Sequence, residues 1–336
     1  MKKILAMALA LVLALSMSAV AFAENKTVKV GVVTDVGGVN DKSFNQTTWE
    51  GLEALAAENA AFEVNYLESK AESDYATNIE TFIDEDYDLI ICVGYMLAGA
   101  CREAAETYPD QKFAIIDDNT NEDLPNVACL MFSQQQASYL VGIVAGMMTK
   151  SNVVGYVQGM YSEPMNLFAI GYIAGVKSVN PDAEVLQYNA NTFADPTIGS
   201  AAATDMITKG ADVIYHAAGG TGSGVIEACA TNKVWAIGVD TDQSPLAPDY
   251  VVTSAMKRVD TAAQDISLAV LNDTFQSGTH VYDLANGGVD IAPTRTLLSD
   301  EIVAAVEAAK AEIIAGTVVV PSSVEELGEG LFTLVG

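Results

Sequence analysis

The 336-residue chain has 44 acidic and 16 basic residues, which gives a formal net charge of -28 at pH 7. A surface of this sign repels the phosphates of nucleic acids and of anionic lipids, so it argues against a nucleic-acid-binding protein. Half of the residues are hydrophobic, and the length suffices for two domains with their own cores, which indicates a globular protein rather than a disordered one.

The chain begins with the pattern of a secretory signal peptide. Two lysines precede an apolar stretch over residues 4–17, and Ala21 and Ala23 form the small-x-small pattern of a cleavage site. We therefore predict that residues 1–23 are removed and that the mature protein is extracytoplasmic, either secreted or associated with the cell surface. No cysteine lies near position 23, so the sequence predicts a signal peptide without a lipid-attachment cysteine.

Ten short runs rich in valine and isoleucine alternate with segments of helical period along the rest of the chain. The runs occupy residues 27–33, 62–68, 88–94, 112–117, 127–132, 153–159, 184–190, 212–218, 234–240 and 250–256. Most are continuously apolar, which is typical of strands buried on both faces and therefore of parallel sheets. Ten strand–helix units exceed what one open sheet comfortably holds, so we predict an α/β protein with two doubly wound parallel-sheet lobes.

The predicted lobe boundary lies at the polar tract of residues 133–136, between a strand and a helix. We expect the N-terminal lobe to span residues 27–132 and the C-terminal lobe to span residues 133–254. Later segments return to both lobes: about 255–280 to the N-terminal lobe and about 281–336 to the C-terminal lobe. Such crossings form a hinge, and the cleft between the lobes becomes the expected ligand site.

Polar and aromatic side chains follow the predicted strands at their carboxyl ends, where doubly wound sheets bind ligands. In the first half these residues are Asp35, Gly37, Gly38, Asn40, Asp41, Ser43, Phe44, Gly94, Tyr95, Asp117, Asp118 and Asn119. In the second half they are Asn189, Asn191, Phe193, Asp195, His216, the glycine-rich loop at 219–224, Asp240, Asp242 and Lys257. Carboxylates, amides and two isolated phenylalanines thus converge with one cation, as in a binding site for a small polar molecule.

Several of these side chains also have a purely structural explanation. Asp41 or Ser43 can cap the helix that follows, and Asp35 can satisfy backbone groups of the Gly-Gly turn. Phe44 and Phe193 can act as hydrophobic staples at the start of a helix instead of contacting a ligand. The sequence leaves each of these choices open.

The glycine-rich loop at residues 219–224 follows a strand and opens a helix, as a dinucleotide-binding loop does. Its glycines are spaced GG-x-G-x-G and not G-x-G-x-x-G, which argues against a nicotinamide cofactor. We predict no cofactor and no metal. Instead, we expect backbone N–H groups of the loop to approach a polar atom of the ligand.

Together these motifs resemble one protein family. The segments that carry the resemblance are TDVGGVNDKSFNQTTWEG, FAIID, NVACLMF, LVGIVAGMMTK, GYVQGM, NTFADPTIG, ADVIYHAAGGTGSGV, AIGVDTDQS and VVTSAMKRVD. From about residue 28 to about residue 320, the chain resembles the basic membrane protein (BMP) family of ABC-transporter substrate-binding proteins and its PnrA-like purine nucleoside receptors. The resemblance implies a type I periplasmic-binding-protein fold that closes two lobes, joined by a hinge, around a nucleoside.

The resemblance also implies roles for individual residues. Two phenylalanines of the nucleoside receptors sandwich the base, and by motif they look like Phe44 and Phe193. The residues implied for the polar rim of the nucleoside are Asp35, Asp117, Gly219, Gly220, Asp240 and Lys257. To these we add Asn45, because its amide can offer both a donor and an acceptor to a base edge. Aspartates without compensating cations disfavour a phosphate, so we expect a nucleoside in preference to a nucleotide.

Three classes of function follow from this reading. The leading one is a monomeric binding protein, without catalytic residues, that delivers a nucleoside to an ABC permease and its ATPase. The second is a nucleoside hydrolase or phosphorylase, although the chain has only two histidines and its motifs show no Ser/His/Asp or Cys/His grouping. The third is a ligand sensor or surface antigen on the same fold.

Overall fold

The protein is described by a computed structural model that covers residues 26–334, so the predicted signal peptide lies outside the described residues. Two α/β lobes make up this part of the chain, and each lobe contains one six-stranded sheet. Within residues 26–334, no helix combines the length and the apolar character that a membrane crossing requires.

Helices and strands alternate from the start of the described chain. The strands are β1 (Val28–Val33), β2 (Phe62–Leu67), β3 (Leu89–Val93), β4 (Lys112–Ile116), β5 (Val127–Phe132), β6 (Val153–Gln158), β7 (Glu184–Asn189), β8 (Val213–Ala217), β9 (Trp235–Asp240), β10 (Val251–Lys257), β11 (Gly278–Tyr282) and β12 (Val289–Ile291). The α-helices are α1 (Phe44–Glu58), α2 (Tyr75–Asp84), α3 (Ala98–Thr107), α4 (Gln134–Met148), α5 (Glu163–Val179), α6 (Pro196–Thr208), α7 (Gly219–Asn232), α8 (Val259–Leu271), α9 (Asp300–Ile314) and α10 (Val324–Leu327).

The two sheets have equivalent strand orders. The first is β11-β5-β4-β3-β1-β2, and the second is β12-β10-β9-β8-β6-β7. All neighbours in the first sheet pair in parallel, whereas the short β12 lies antiparallel to β10 at the edge of the second sheet. The predicted pair of doubly wound α/β lobes is therefore confirmed, with one antiparallel edge strand added.

The chain passes between the two sheets three times: after β5, after β10 and after β11. Strand β10 remains in the second sheet through Lys257, and β11 brings residues 278–282 back beside β5. Helix α8 packs against α1 of the first lobe, where Gln264 Nε2 donates to the carbonyl oxygen of Gly51 at 2.7 Å. Three connecting segments therefore link the lobes, an arrangement that suits hinged closure.

Helices α4 and α5 pack at unusually short range and support the second sheet. A Cβ built on Gly142 would collide with the carbonyl oxygen of Tyr172, and one built on Gly175 would collide with that of Tyr139. Glycine at these two positions lets the helix backbones touch. Helix α4 of this pair also packs against β8, β10 and β12 of the second sheet.

Candidate ligand-binding site

A cavity lies between the carboxyl ends of the two sheets, and both lobes contribute to its wall. It contains about 530 Å³ of space outside protein atoms, including space open to solvent. The lining residues are Asp35, Asp41, Phe44, Asn45, Gly94, Tyr95, Met96, Asp117, Met165, Phe168, Phe193, Ala217, Ala218, Gly219, Val239, Asp240 and Lys257. Of the nine residues predicted to bind the ligand, eight line the cavity, and the ninth, Gly220, lies next to Phe193. Several other strand-end residues collected from the sequence, such as Asn189, His216 and Asp242, do not line it.

Asp41 caps helix α1. Its carboxylate accepts hydrogen bonds from the backbone N–H groups of Ser43 at 2.9 Å, Asn45 at 2.9 Å and Gln46 at 3.1 Å. The hydroxyl of Ser43 points away from the helix and donates to the carboxylate of Asp240 in the other lobe. Asp41 is therefore the capping residue, and Ser43 is free to join the two lobes.

Asn45 holds two carboxylates in place at the cavity wall. Its Nδ2 donates to Asp35 Oδ1 at 2.7 Å and to Asp41 Oδ2 at 3.0 Å, while its Oδ1 accepts from the backbone N–H of Asp35. Asp35 Oδ1 also accepts from the N–H of Gly37 at 2.8 Å. Asp35 thus satisfies the turn with one oxygen, and its Oδ2 makes no hydrogen bond to residues 26–334.

Lys257 is a buried cation enclosed by one carboxylate and three rings. It is 1% exposed, and its Nζ pairs with Asp117 Oδ2 across the cleft. The same Nζ lies 4.9 Å from the ring centroid of Phe44, 5.1 Å from that of Phe132 and 5.4 Å from that of Phe168. Ring faces attract a desolvated ammonium, so they help to offset the cost of burying this charge.

The second oxygen of Asp117 is available to a ligand. Asp117 Oδ1 is buried and has no hydrogen-bond partner among the described residues. An unsatisfied buried acceptor costs roughly 1–3 kcal/mol. A ligand donor that reaches Oδ1 would remove this cost, which makes Asp117 a natural acceptor for an O–H or N–H group.

The cleft is acidic, and burial changes the protonation of its carboxyl groups. Desolvation raises the pKa of Asp35 to about 6, because the charged form loses contact with water. Desolvation also raises the pKa of Asp240 to about 6, although the charge of Lys257 and the hydroxyl of Ser43 oppose the shift. Burial raises the pKa of Asp41 as well. Asp35 and Asp240 therefore ionise near pH 6, and above this pH their carboxylates can only accept hydrogen bonds.

Phe44 and Phe193 come from opposite lobes and both line the cavity. Phe44 is the first residue of α1, and Phe193 lies shortly before α6; both rings are half-buried and packed against the core. A Cβ on Gly159 would collide with the ring of Phe193, so glycine at this position lets the ring lie against the β6 end of the sheet. Packing against the core and lining the cavity are therefore compatible roles for these rings.

Two lining residues on α5, Met165 and Phe168, were not identified from the sequence. They lie on a helix that is buried over most of its surface, so the pattern of polar residues at strand ends does not separate them from core residues. A comparison of the two lobes could have found them, because α5 follows β6 as α1 follows β1. The helix that starts beside the cavity is thus a feature of both lobes.

Comparisons with known proteins identify the family of the chain. Residues 28–324 match the family model Bmp, described as "ABC transporter substrate-binding protein PnrA-like". The "CD4+ T-cell-stimulating antigen" of Listeria monocytogenes is 41% identical over 88% of this chain and 89% of its own length. The "ABC transporter nucleoside-binding protein BmpA" of Lactococcus lactis is 39% identical over the same shares of the two chains, 88% and 89%.

A solved structure shows the same architecture. The ABC transporter solute-binding protein from Aeropyrum pernix superposes with a TM-score of 0.79 at 28% sequence identity, covering 89% of this chain and 95% of that protein. The family match extends over both lobes and includes every residue that lines the cavity. The chain therefore belongs to the Bmp family of PnrA-like ABC transporter substrate-binding proteins.

Proposed function

We propose that the protein closes its cleft around a nucleoside and delivers it, as an extracytoplasmic monomer, to an ABC permease and its ATPase. One observation carries the proposal: two half-buried rings from opposite lobes, Phe44 and Phe193, line the same cavity as four buried carboxylates. A flat uncharged ring with donor groups at its rim matches such a wall. The name of the relative from Lactococcus lactis supports the same ligand class.

The rings and the acids contribute in different ways. Stacking of a base on an aromatic side chain is worth about 1–3 kcal/mol and depends little on the base. Each hydrogen bond to a carboxylate adds about 1.5–3 kcal/mol. Asp35, Asp117 and Asp240 each have one oxygen that makes no hydrogen bond to residues 26–334. These oxygens suit ribose hydroxyls and base N–H groups.

The charges of the wall favour a nucleoside over a nucleotide. Lys257 is the one lysine or arginine among the lining residues, and it is already paired with Asp117. A phosphate would therefore meet Asp35, Asp41 and Asp240 without a free cation, and such like-charge contacts cost several kcal/mol. We assign no catalytic step to the site, and we propose that closure itself is the signal for the permease.

Calorimetric titration with inosine, hypoxanthine, ribose and inosine monophosphate tests this proposal. We expect inosine to bind at least tenfold more tightly than the other three. Binding of ribose alone, or binding of inosine monophosphate as tightly as inosine, would overturn the proposal. Incubation with inosine followed by chromatography provides the control for enzymatic activity, because a hydrolase or a phosphorylase would release hypoxanthine.

A further inference from the structure

Among the polar side-chain contacts that join the lobes at the cleft, three are well-aligned hydrogen bonds or ion pairs within the described residues. Two of them, Ser43–Asp240 and Lys257–Asp117, use carboxylates of the cavity wall. A bound ligand would compete for these carboxylates or rearrange the two contacts. In the third contact, Gln243 Nε2 donates to the carbonyl oxygen of Lys42 at 2.8 Å. Neither Gln243 nor Lys42 lines the cavity, so this hydrogen bond can persist whatever the ligand does.

Gln243 is held rigidly by its own lobe. It is 2% exposed, and its backbone N–H donates to Ser254 Oγ at 3.1 Å. Its Oε1 accepts from the backbone N–H of Val239 at 3.0 Å. Because a backbone N–H can only donate, the amide oxygen must face Val239, and the amide nitrogen must face Lys42. The geometry therefore fixes the orientation of this amide.

His216 supports the same orientation. Its Nε2 lies 3.0 Å from Gln243 Oε1, and the ring is fully buried. Burial lowers the pKa of His216 to about 4, so the ring is neutral at physiological pH. Since Gln243 Oε1 can only accept, the single ring proton resides on Nε2. Nδ1 packs against Gly222 and has no hydrogen-bond partner among the described residues.

On the other side of the cleft, the acceptor belongs to the segment that starts α1. Lys42 has a left-handed backbone with φ of 59°, and it separates Asp41, which caps the helix, from Ser43 and Phe44. A hydrogen bond to the Lys42 carbonyl therefore restrains the residues that place the Phe44 ring and the Asp41 carboxylate. Gln243 acts on the cavity through this segment without touching the ligand.

We propose that Gln243 is a positioning residue that latches the closed cleft by holding the Lys42 carbonyl of the opposite lobe. The latch goes beyond ligand recognition. It sets the lifetime of the closed state, and therefore koff, and it leaves the association rate constant kon unchanged. The proposal rests on the cleft closing around a small molecule, and not on that molecule being a nucleoside.

Gln243→Glu removes the donor while keeping the shape of the side chain. The new carboxylate still accepts from Val239 and His216, but its second oxygen faces the Lys42 carbonyl and repels it. When the carboxyl is protonated, its O–H can donate to Lys42 as the amide does. We therefore expect koff for inosine to rise roughly tenfold at pH 8, with kon unchanged, and the mutant-to-wild-type ratio of koff to return toward one at pH 5.

Stopped-flow measurement of koff and kon at both pH values tests the latch. Taking the ratio to wild type at each pH removes the titration that both proteins share at Asp35, Asp41 and Asp240. The matched control is Gln264→Glu, which loses an amide-to-carbonyl bond of 2.7 Å within the first lobe and should leave koff unchanged at both pH values. An unchanged koff in Gln243→Glu at pH 8, or an equal rise in the control, would refute the latch.

A second variant and a second ligand cover the cases in which Gln243→Glu does not fold or inosine does not bind. If Gln243→Glu does not fold, Gln243→Met keeps the length of the side chain and should raise koff about three- to tenfold at both pH values. A fall in kon with unchanged koff would contradict the proposal in either variant. If wild-type protein does not bind inosine, the proposed function fails, and koff is then measured with whichever of hypoxanthine or ribose binds in the titration.

Discussion

Asp117 and Asp240 end equivalent strands of the two lobes, and each takes its partner from the opposite lobe. Asp117 directly follows β4, and Asp240 is the last residue of β9. Both adopt a left-handed backbone with φ of 65°. Asp117 pairs with Lys257 of the second lobe, whereas Asp240 accepts from Ser43 of the first. Both acids therefore face the cavity and also make contacts between the lobes that require the cleft to be closed.

The aromatic wall gives the first prediction. We expect Phe44→Ala to weaken inosine binding at least tenfold, because the variant loses a stacking surface worth about 1–3 kcal/mol. The measurement is calorimetric titration, with chemical denaturation of the empty protein alongside it.

Phe62→Ala is the matched control for this prediction. Phe62 lies on β2 and is buried in the core of the first lobe, so its removal should cost about 3–5 kcal/mol of unfolding free energy. The affinity of the folded molecules should change little. If Phe44→Ala destabilises the protein as much as Phe62→Ala and spares affinity, Phe44 serves only as a core residue.

The buried acids predict how affinity depends on pH. Asp35 and Asp240 have pKa values of about 6, and the proposed ligand donors bind an ionised carboxylate more strongly than the neutral acid. Protonation therefore competes with binding, and each carboxylate should cost about tenfold in affinity between pH 7 and pH 5. Titrations across this range check the slope, and Asp35→Asn should make the profile shallower. A flat wild-type profile would show that neither acid contacts the ligand.

The same pKa values predict the opposite trend for stability in the empty, closed protein. A carboxyl group with a pKa of about 6 in the folded state and 3.8 in the unfolded state binds its proton more tightly when folded. The unfolding free energy should therefore fall as the pH rises from about 4 to about 6. Urea denaturation at several pH values measures this trend, and Asp35→Asn should reduce it. A rise in stability over the same interval would contradict the shifted pKa values.

The continuous apolar runs predicted the strands well because strands buried on both faces leave this pattern. Each of the ten runs matches a strand to within one residue at either end. The two additional strands leave a weaker pattern for physical reasons: β11 is an edge strand whose burial alternates, and β12 has three residues. The second of these is too short to stand out in the sequence and pairs with β10 over three residues.

The rule that doubly wound sheets bind ligands at the carboxyl ends of their strands predicted most of the cavity wall, because parallel strands bring these ends together. It could not separate ligand contacts from supporting roles, as the amide of Asn45 shows, since both of its hydrogens are engaged by Asp35 and Asp41. The same rule could not predict the contact between Gln243 and Lys42. That hydrogen bond depends on how the lobes meet, which local pattern does not encode.

The contact between α4 and α5 predicts a strong effect of side-chain size on stability. Gly142→Ala places a methyl group against the backbone of Tyr172, which cannot move aside as a flexible side chain can. We expect a loss of about 1–3 kcal/mol of unfolding free energy. In Gly99→Ala, the new methyl group on α3 meets open space and should stabilise the helix by about 0.5–1 kcal/mol. Equal effects at the two positions would show that the helices separate easily.

The buried pair of Lys257 and Asp117 provides the last prediction. Lys257→Met leaves the Asp117 carboxylate buried without its cation, and breaking a buried pair in this way typically costs about 3–5 kcal/mol. Adding Asp117→Asn removes the stranded charge, so we expect the double variant to recover much of the unfolding free energy. A double-mutant cycle by urea denaturation measures the coupling between the two residues. Purely additive losses would mean that the two groups do not interact in solution, and that the lobes are apart in the empty protein.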